Sequence, residues 1–274
     1  MNAVAIGPFA FSADRFSVIA GLIVFMMVGS LLAARIDNRL GTFTTAATLL
    51  GVAGARAGHV IAHAESFLQE PLRVLAIWQG GFSPTGGLIG VFFAAVMLWR
   101  NAPKAAPWAI LPLAVGLFVW VVVTTLTDSG AAPRAPETSY AVLSTDETLA
   151  IANRRGRPAV LNLWASWCPP CRREMPMMAE MAGSNPEVDF FFANQGESRE
   201  VITAYLSQTG IDLETILLDP FSDLSRHYGA IGLPATLFIN PDGTLAATHL
   251  GEISRETIAE RLADFSSEDR KRTE

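Results

Sequence analysis

Asn162-Leu-Trp-Ala-Ser-Trp-Cys-Pro-Pro-Cys-Arg-Arg-Glu-Met-Pro176 decides the fold of the second half of this chain. Its first residues fall in Ala159–Ala165, an almost wholly apolar run that reads as a buried strand, and Pro170–Ala182 reads as a helix. Cys168 and Cys171 thus stand where a strand hands over to a helix. A cysteine at a helix N-terminus meets unpaired backbone N–H groups and the positive end of the helix dipole, and both favour the thiolate. The two-residue spacer lets Cys171 attack a mixed disulfide formed on Cys168. Cys168, nearer the helix start, is the expected nucleophile, and Cys171, a turn further in, the resolving thiol. Haem attachment needs His after the second Cys, where Arg172 stands. Zinc needs two further ligands, and His227 and His249, the two histidines of this half, form no close pair. No metal and no cofactor is expected; the reading is a redox-active Cys168–Cys171 pair.

Strand and helix signals alternate onward from this stretch. Val188–Ala193, Thr215–Leu218, Ala235–Ile239 and Thr244–His249 read as strands, the last two joined by the turn signal Asn240-Pro-Asp-Gly243. Ser198–Gln208, Ser222–Tyr228 and Ser254–Ala263 read as helices, and residues 266–274 as a flexible tail. This is the pattern of an α/β domain, expected over residues 139–265.

The quoted stretch closely resembles the TlpA/ResA group of membrane-anchored, extracytoplasmic thioredoxin-like reductases, and Gly232-Leu-Pro-Ala-Thr-Leu-Phe-Ile-Asn-Pro-Asp-Gly243 fits the same group's later segment. The resemblance implies a thioredoxin fold, a central mixed sheet flanked by helices. It implies that Pro234 is a cis proline facing the cysteines, that the Leu233 backbone pairs with substrate, and that Trp167 joins them in a substrate-binding set. It also implies an acid/base role for Glu174, which lies one helical turn after Cys171 on the same face. Asn162 departs from ordinary thioredoxins, which carry a buried Asp there; an amide cannot accept the proton, so the burden shifts to Glu174. Pro176 is expected to kink the active-site helix. The spacer Pro169-Pro170 offers neither N–H donor nor charge, which favours a reductant over an oxidase.

The first half has another character. Of 274 residues, 50% are hydrophobic and 17% charged, and the mean hydropathy of +0.33 is high for a soluble protein. Residues 1–136 carry eight Lys/Arg and five Asp/Glu, while residues 137–274 carry twelve and twenty-one, together the net charge of −6. The acidic balance argues against nucleic-acid binding. Four apolar segments read as membrane spans: Phe16–Ala34, Thr42–Ala64, the short Gly86–Trp99 and Pro107–Leu126. The first is long and closes on no small-residue cleavage site, so it reads as an uncleaved span. Arg35 and Arg39 in the first loop, and Arg100 and Lys104 in the third, place those loops in the cytoplasm and both termini outside. The transmembrane domain is expected over residues 1–126 and a Pro/Ala/Gly-rich linker over 127–138.

Gly54-Ala-Arg-Ala-Gly-His-Val60, Pro71 and Ile77-Trp-Gln-Gly-Gly-Phe-Ser-Pro-Thr-Gly-Gly-Leu-Ile-Gly90 resemble the N-terminal part of prolipoprotein diacylglyceryl transferase. The family's catalytic His before the second Gly-Gly is replaced by Thr85, and its later spans and Arg-bearing motif are missing. The resemblance therefore implies a truncated, inactive membrane domain. Arg56, His59 and His63 fall inside the second segment, either as a residual lipid-headgroup pocket or as interfacial groups that snorkel. The leading expectation is a membrane-anchored reductase of disulfides in bacterial envelope proteins, for example in cytochrome c maturation. It sits in the inner membrane with its redox domain on the periplasmic side and is recharged by a separate transmembrane thiol carrier. The alternative is a lipid-binding or lipoprotein-maturation module, in contact with membrane lipids, with an accessory redox domain.

Overall fold

A computed structural model describes residues 3–6, 9–127, 132–145, 147–154 and 156–273, with side chains described within 15–265 apart from Gln69. It comprises two compact units, Ala13–Ser129 on the one hand and Met1–Ser12 with Gly130–Glu274 on the other.

The helical unit contains α1 (Ala13–Arg35), α2 (Arg39–Ala62), α3 (Ala64–Gln69), α4 (Pro84–Asn101) and α5 (Ile110–Thr127). Four spans were expected, and two segments among the described residues are long and apolar enough to cross a membrane: Arg15–Arg35 and Ala106–Thr127, each with mean hydropathy 2.4. The difference has a physical cause. α4 spends its first turn on Pro-Thr-Gly-Gly and its last on Arg100-Asn101, and α2 intersperses Gly and Thr with Arg56 and His59.

Those glycines serve packing. A Cβ on Gly54 would lie 2.5 Å from the Gly86 carbonyl oxygen, one on Gly86 2.2 Å from that of Gly54, and one on Gly90 2.0 Å from that of Leu50. α2 and α4 therefore touch backbone to backbone, as small residues permit between apolar helices. Phe25, Leu40, Phe43, Ala47, Ala94 and Leu98 fill the core of the unit.

The second unit begins with a hairpin, β1 (Ala3–Ile6) and β2 (Phe9–Ser12), and is built on a seven-stranded sheet. Its strands are β3 (Ser139–Val142), β4 (Thr148–Ala150), β5 (Ala159–Trp164), β6 (Asp189–Gln195), β7 (Ile216–Asp219), β8 (Ala235–Ile239) and β9 (Leu245–Leu250), in the order β4-β3-β7-β6-β5-β8-β9. β5, β6 and β7 run parallel; β8 lies antiparallel to β5, and β9 to β8. β5 and β8 are buried along their whole length, as central strands covered on both faces must be. The helices are α6 (Pro169–Ser184), α7 (Arg199–Thr209), α8 (Asp223–Tyr228) and α9 (Arg255–Thr273).

Two expectations about the ends of this unit need correcting. α9 continues through the segment read as a tail, because residues after Phe265 include several good helix formers and no Gly or Pro. Of the expected linker, residues 128–131 lie outside the described residues. Its later part pairs with the sheet: the Ala135 N–H donates to the Gly243 carbonyl and the Leu245 N–H to that of Pro133.

The helix contacts yield a paired prediction. Gly86→Ala forces α2 and α4 apart and should destabilise the helical unit by about 1–3 kcal/mol. Gly183→Ala, in α6 with nothing within 4 Å of the added Cβ, should stabilise by about 0.5–1 kcal/mol. Thermal melts of the detergent-solubilised protein followed by circular dichroism would show midpoints moving in opposite directions.

Candidate active site

β5 delivers the chain to the site and α6 carries it away. Cys168 is the residue before the helix, with an extended backbone, and its Sγ accepts the Cys171 N–H at 3.3 Å. Pro169 and Pro170 fill the first helical positions, where a missing N–H costs nothing. Cys171 thus supplies the first helix-terminal N–H that can reach the sulfur. The two cysteines form a disulfide with Cα atoms 5.3 Å apart. Cys168 is 3% exposed and Cys171 0%, whereas neighbouring Trp167 is 66% exposed. The Leu233–Pro234 bond is cis, and Leu233 packs on the core cluster that contains both cysteines. Pro176 lies inside α6 on its exposed side.

Glu174 is buried. Its Oε1 accepts the Asn162 amide at 2.9 Å, and its Oε2 the Ile253 N–H at 3.0 Å. The Asn162 amide also donates to Thr236 Oγ1, across from it in the β5–β8 register. Burial pushes the Glu174 carboxyl up from 4.5 to about 7. The donors Ile253 and Asn162 and the charge of Arg173 pull downward without prevailing, and Glu252 adds to the rise. Arg173 is itself held by Glu252, donating from Nε at 3.0 Å and Nη2 at 2.6 Å to one carboxylate oxygen. A carboxyl poised near neutrality, one turn from a buried thiol, can take up or release a proton in the working pH range.

The sequence did not single out Glu197, which follows β6. Its carboxylate accepts both the N–H and the hydroxyl of Ser166, and the amide of Asn194. The signal lay in two loops that meet only because β5 and β6 are neighbours.

In the helical unit, Arg56 matches neither reading made of it. Its guanidinium donates to the carbonyls of Arg73, Val74, Ala76, Gly80 and Gly81, and lies 5.4 Å from the Phe67 ring centroid. It clamps the loop between α3 and α4. His59 and His63 stack with ring centroids 4.5 Å apart. Thr85, in the first turn of α4, bonds through its hydroxyl to Ser83 at 2.8 Å. An apolar cavity of about 520 Å³ opens among α1, α2, α4 and α5, with Phe25, Val52, Phe82, Leu117 and Trp120 in its walls.

A mixed sheet with a disulfide-bonded Cys-x-x-Cys at a helix start, a cis proline and a buried carboxyl is a thioredoxin-like arrangement. Both halves of the chain resemble known proteins. The AhpC/TSA family model matches residues 133–248, and the prolipoprotein diacylglyceryl transferase model matches residues 2–124. The chain is 28% identical over 116 residues to the thiol-disulfide oxidoreductase ResA of Halalkalibacterium halodurans, covering 42% of this chain and 65% of that protein. It therefore spans slightly less than two thirds of that relative's length. It is 28% identical over 175 residues to the thiol:disulfide interchange protein DsbE homolog of Paracoccus denitrificans, covering 58% of this chain and 93% of that protein. The solved structure of MTB dsbF is 25% identical, covers 49% of this chain and 99% of its own, and superposes with a TM-score of 0.45. The relatives of the second half are thus thiol-disulfide oxidoreductases of the ResA and DsbE kind.

The buried carboxyl predicts a pH dependence. Unfolded, Glu174 ionises near 4.5; folded, near 7. Between those values the folded state holds the proton that the unfolded state has lost. Stability is therefore greatest below about pH 4.5 with respect to this group and declines as pH rises through 7, by about 3 kcal/mol in all. Glu174→Gln should abolish that decline, which denaturant titrations at pH 5 and pH 8 would measure.

Proposed function

We propose that the protein is a membrane-anchored, extracytoplasmic thiol:disulfide oxidoreductase that reduces protein disulfides. The observation that carries this reading is the Cys168–Cys171 pair at the start of α6, backed by buried Glu174 and accompanied by the cis Leu233–Pro234 bond. In the reducing half-reaction the Cys168 thiolate attacks one sulfur of the substrate disulfide, and the other leaves as a thiolate that takes a proton from solvent. Glu174 accepts the Cys171 proton, directly or through water. Cys171 then attacks Cys168 Sγ, and the second substrate sulfur departs with its electron pair. The substrate gains two thiols, and the enzyme is left with the Cys168–Cys171 disulfide. The Leu233 backbone holds the substrate chain and exposed Trp167 covers its flank.

The helical unit is read as the anchor, with α2 and α4 crossing the bilayer beside the two longer apolar segments. Arg39 donates to the Asn101 carbonyl, so the α1–α2 and α4–α5 turns share one end of the unit. That end carries Arg35, Arg39, Arg100 and Lys104, which supports reading it as the cytoplasmic side and the redox domain as extracytoplasmic. The chain's two cysteines are Cys168 and Cys171, so the spans offer no thiol relay. Reducing equivalents would come from a separate transmembrane thiol carrier. Substrates would be disulfide-bearing envelope proteins, including those matured with cytochrome c. The transferase match and the apolar cavity favour lipid contact as a second property of the anchor, whereas Thr85 and the committed Arg56 speak against transfer chemistry.

With thiol equivalents supplied, the protein should reduce a model disulfide, and Cys168→Ser should bring the rate to the uncatalysed level; an active variant would refute the reading. Cys171→Ala should trap mixed disulfides with the substrates. In sealed vesicles with thioredoxin and its reducing system on the cytoplasmic side, the outward disulfide should stay oxidised until a transmembrane thiol carrier is added.

A further inference from the structure

Beyond β6 the chain turns through Gly196, at φ 80°, and brings Glu197 to the loop that leads into the cysteines. Glu197 Oε2 accepts the Ser166 N–H at 2.7 Å and the Asn194 amide at 2.7 Å, and Oε1 accepts the Ser166 hydroxyl at 2.5 Å. The anchor is rigid. Asn194 is fully buried and stands beside Trp164 in the β5–β6 register. Ser166 is two residues before Cys168, whose own N–H is held by the Ala165 carbonyl at 3.2 Å. Chain geometry then keeps the carboxylate within roughly 10 Å of Cys168 Sγ.

We propose that Glu197 is a positioning residue for Cys168, fixing the Ala165–Cys168 loop and holding a negative charge close enough to oppose thiolate formation, which keeps the pair reducing. The proposal rests on the thiol-exchange reading above and adds a residue to it. Two consequences follow from the bonding. Both Ser166 donors are spent on Glu197, so neither is free to stabilise a sulfur anion. The charge also acts in the same sense as the donor-poor Pro169-Pro170 spacer, since a pair whose thiolate is less stabilised is the stronger reductant. Other charges near Cys168 are already engaged. Arg172 on α6 lies over the Tyr205 ring of α7 at 5.7 Å; Arg173 is paired with Glu252; Glu174 sits in the core on Asn162 and Ile253.

The test uses the full-length protein in detergent. The Cys168 thiol pKa is read from the pH dependence of its alkylation in a Cys171→Ala background, and the dithiol–disulfide equilibrium against glutathione is read with both cysteines present. Glu197→Gln is nearly isosteric and keeps an acceptor for the Ser166 N–H while removing the charge. It should lower the thiol pKa by about half a unit to one unit, a three- to ten-fold rise in thiolate at a given pH, and shift the equilibrium toward the dithiol by a similar factor. Glu197→Asp keeps the charge and should stay near the parent in both readouts. Parent-like values in Glu197→Gln would overturn the proposal. So would an Asp variant displaced as far as the Gln variant, which would assign the effect to loop shape instead of charge. A parent protein that failed to exchange thiols at all would instead overturn the underlying reading.

Discussion

Glu174 is a carboxyl group inside a protein core, and three parts of the redox domain meet on it. β5 contributes the Asn162 amide, α6 contributes the acid, and the segment after β9 contributes the Ile253 N–H. Without those two donors, burying this group would cost several kcal/mol. With them, the strand that ends at the site, the helix that starts there and the chain leading to α9 are held in one register. The Arg173–Glu252 pair, formed by the residues just before Glu174 and Ile253, reinforces the same junction. The elevated pKa of Glu174 comes from the same burial that makes it structural.

Much of this was legible in the sequence because it rests on local chemistry. An apolar run, a Cys-Pro-Pro-Cys and an amphipathic run specify strand, turn and helix, and α6 differs from its expected bounds by one or two residues. The cis bond at Pro234 and the part of Glu174 came from family resemblance. What stayed hidden depends on strands meeting in space. β3 and β4 have four and three residues, too short for a periodic signal. The Glu197 contacts join residues 31 apart in sequence, and nothing near either end announces the other.

The helical half teaches the converse. An arginine within an apolar segment invites a ligand, yet the Arg56 guanidinium is occupied by five backbone carbonyls of the loop between α3 and α4. Composition alone could not tell a loop clamp from an anion site. The Gly54 and Gly86 contact likewise gives the small residues of α2 and of the start of α4 a structural use: side-chain bulk there has been exchanged for close approach.

The depth of Cys168 has a further consequence. Cys168, 3% exposed in its disulfide, offers little surface to a broad, rigid partner; a narrow segment of chain would reach it more readily. Disulfides in loops, frayed ends or incompletely folded clients meet that demand, and those locked in compact interiors do not. Selection of partners by pliability would then follow from how little of Cys168 is exposed.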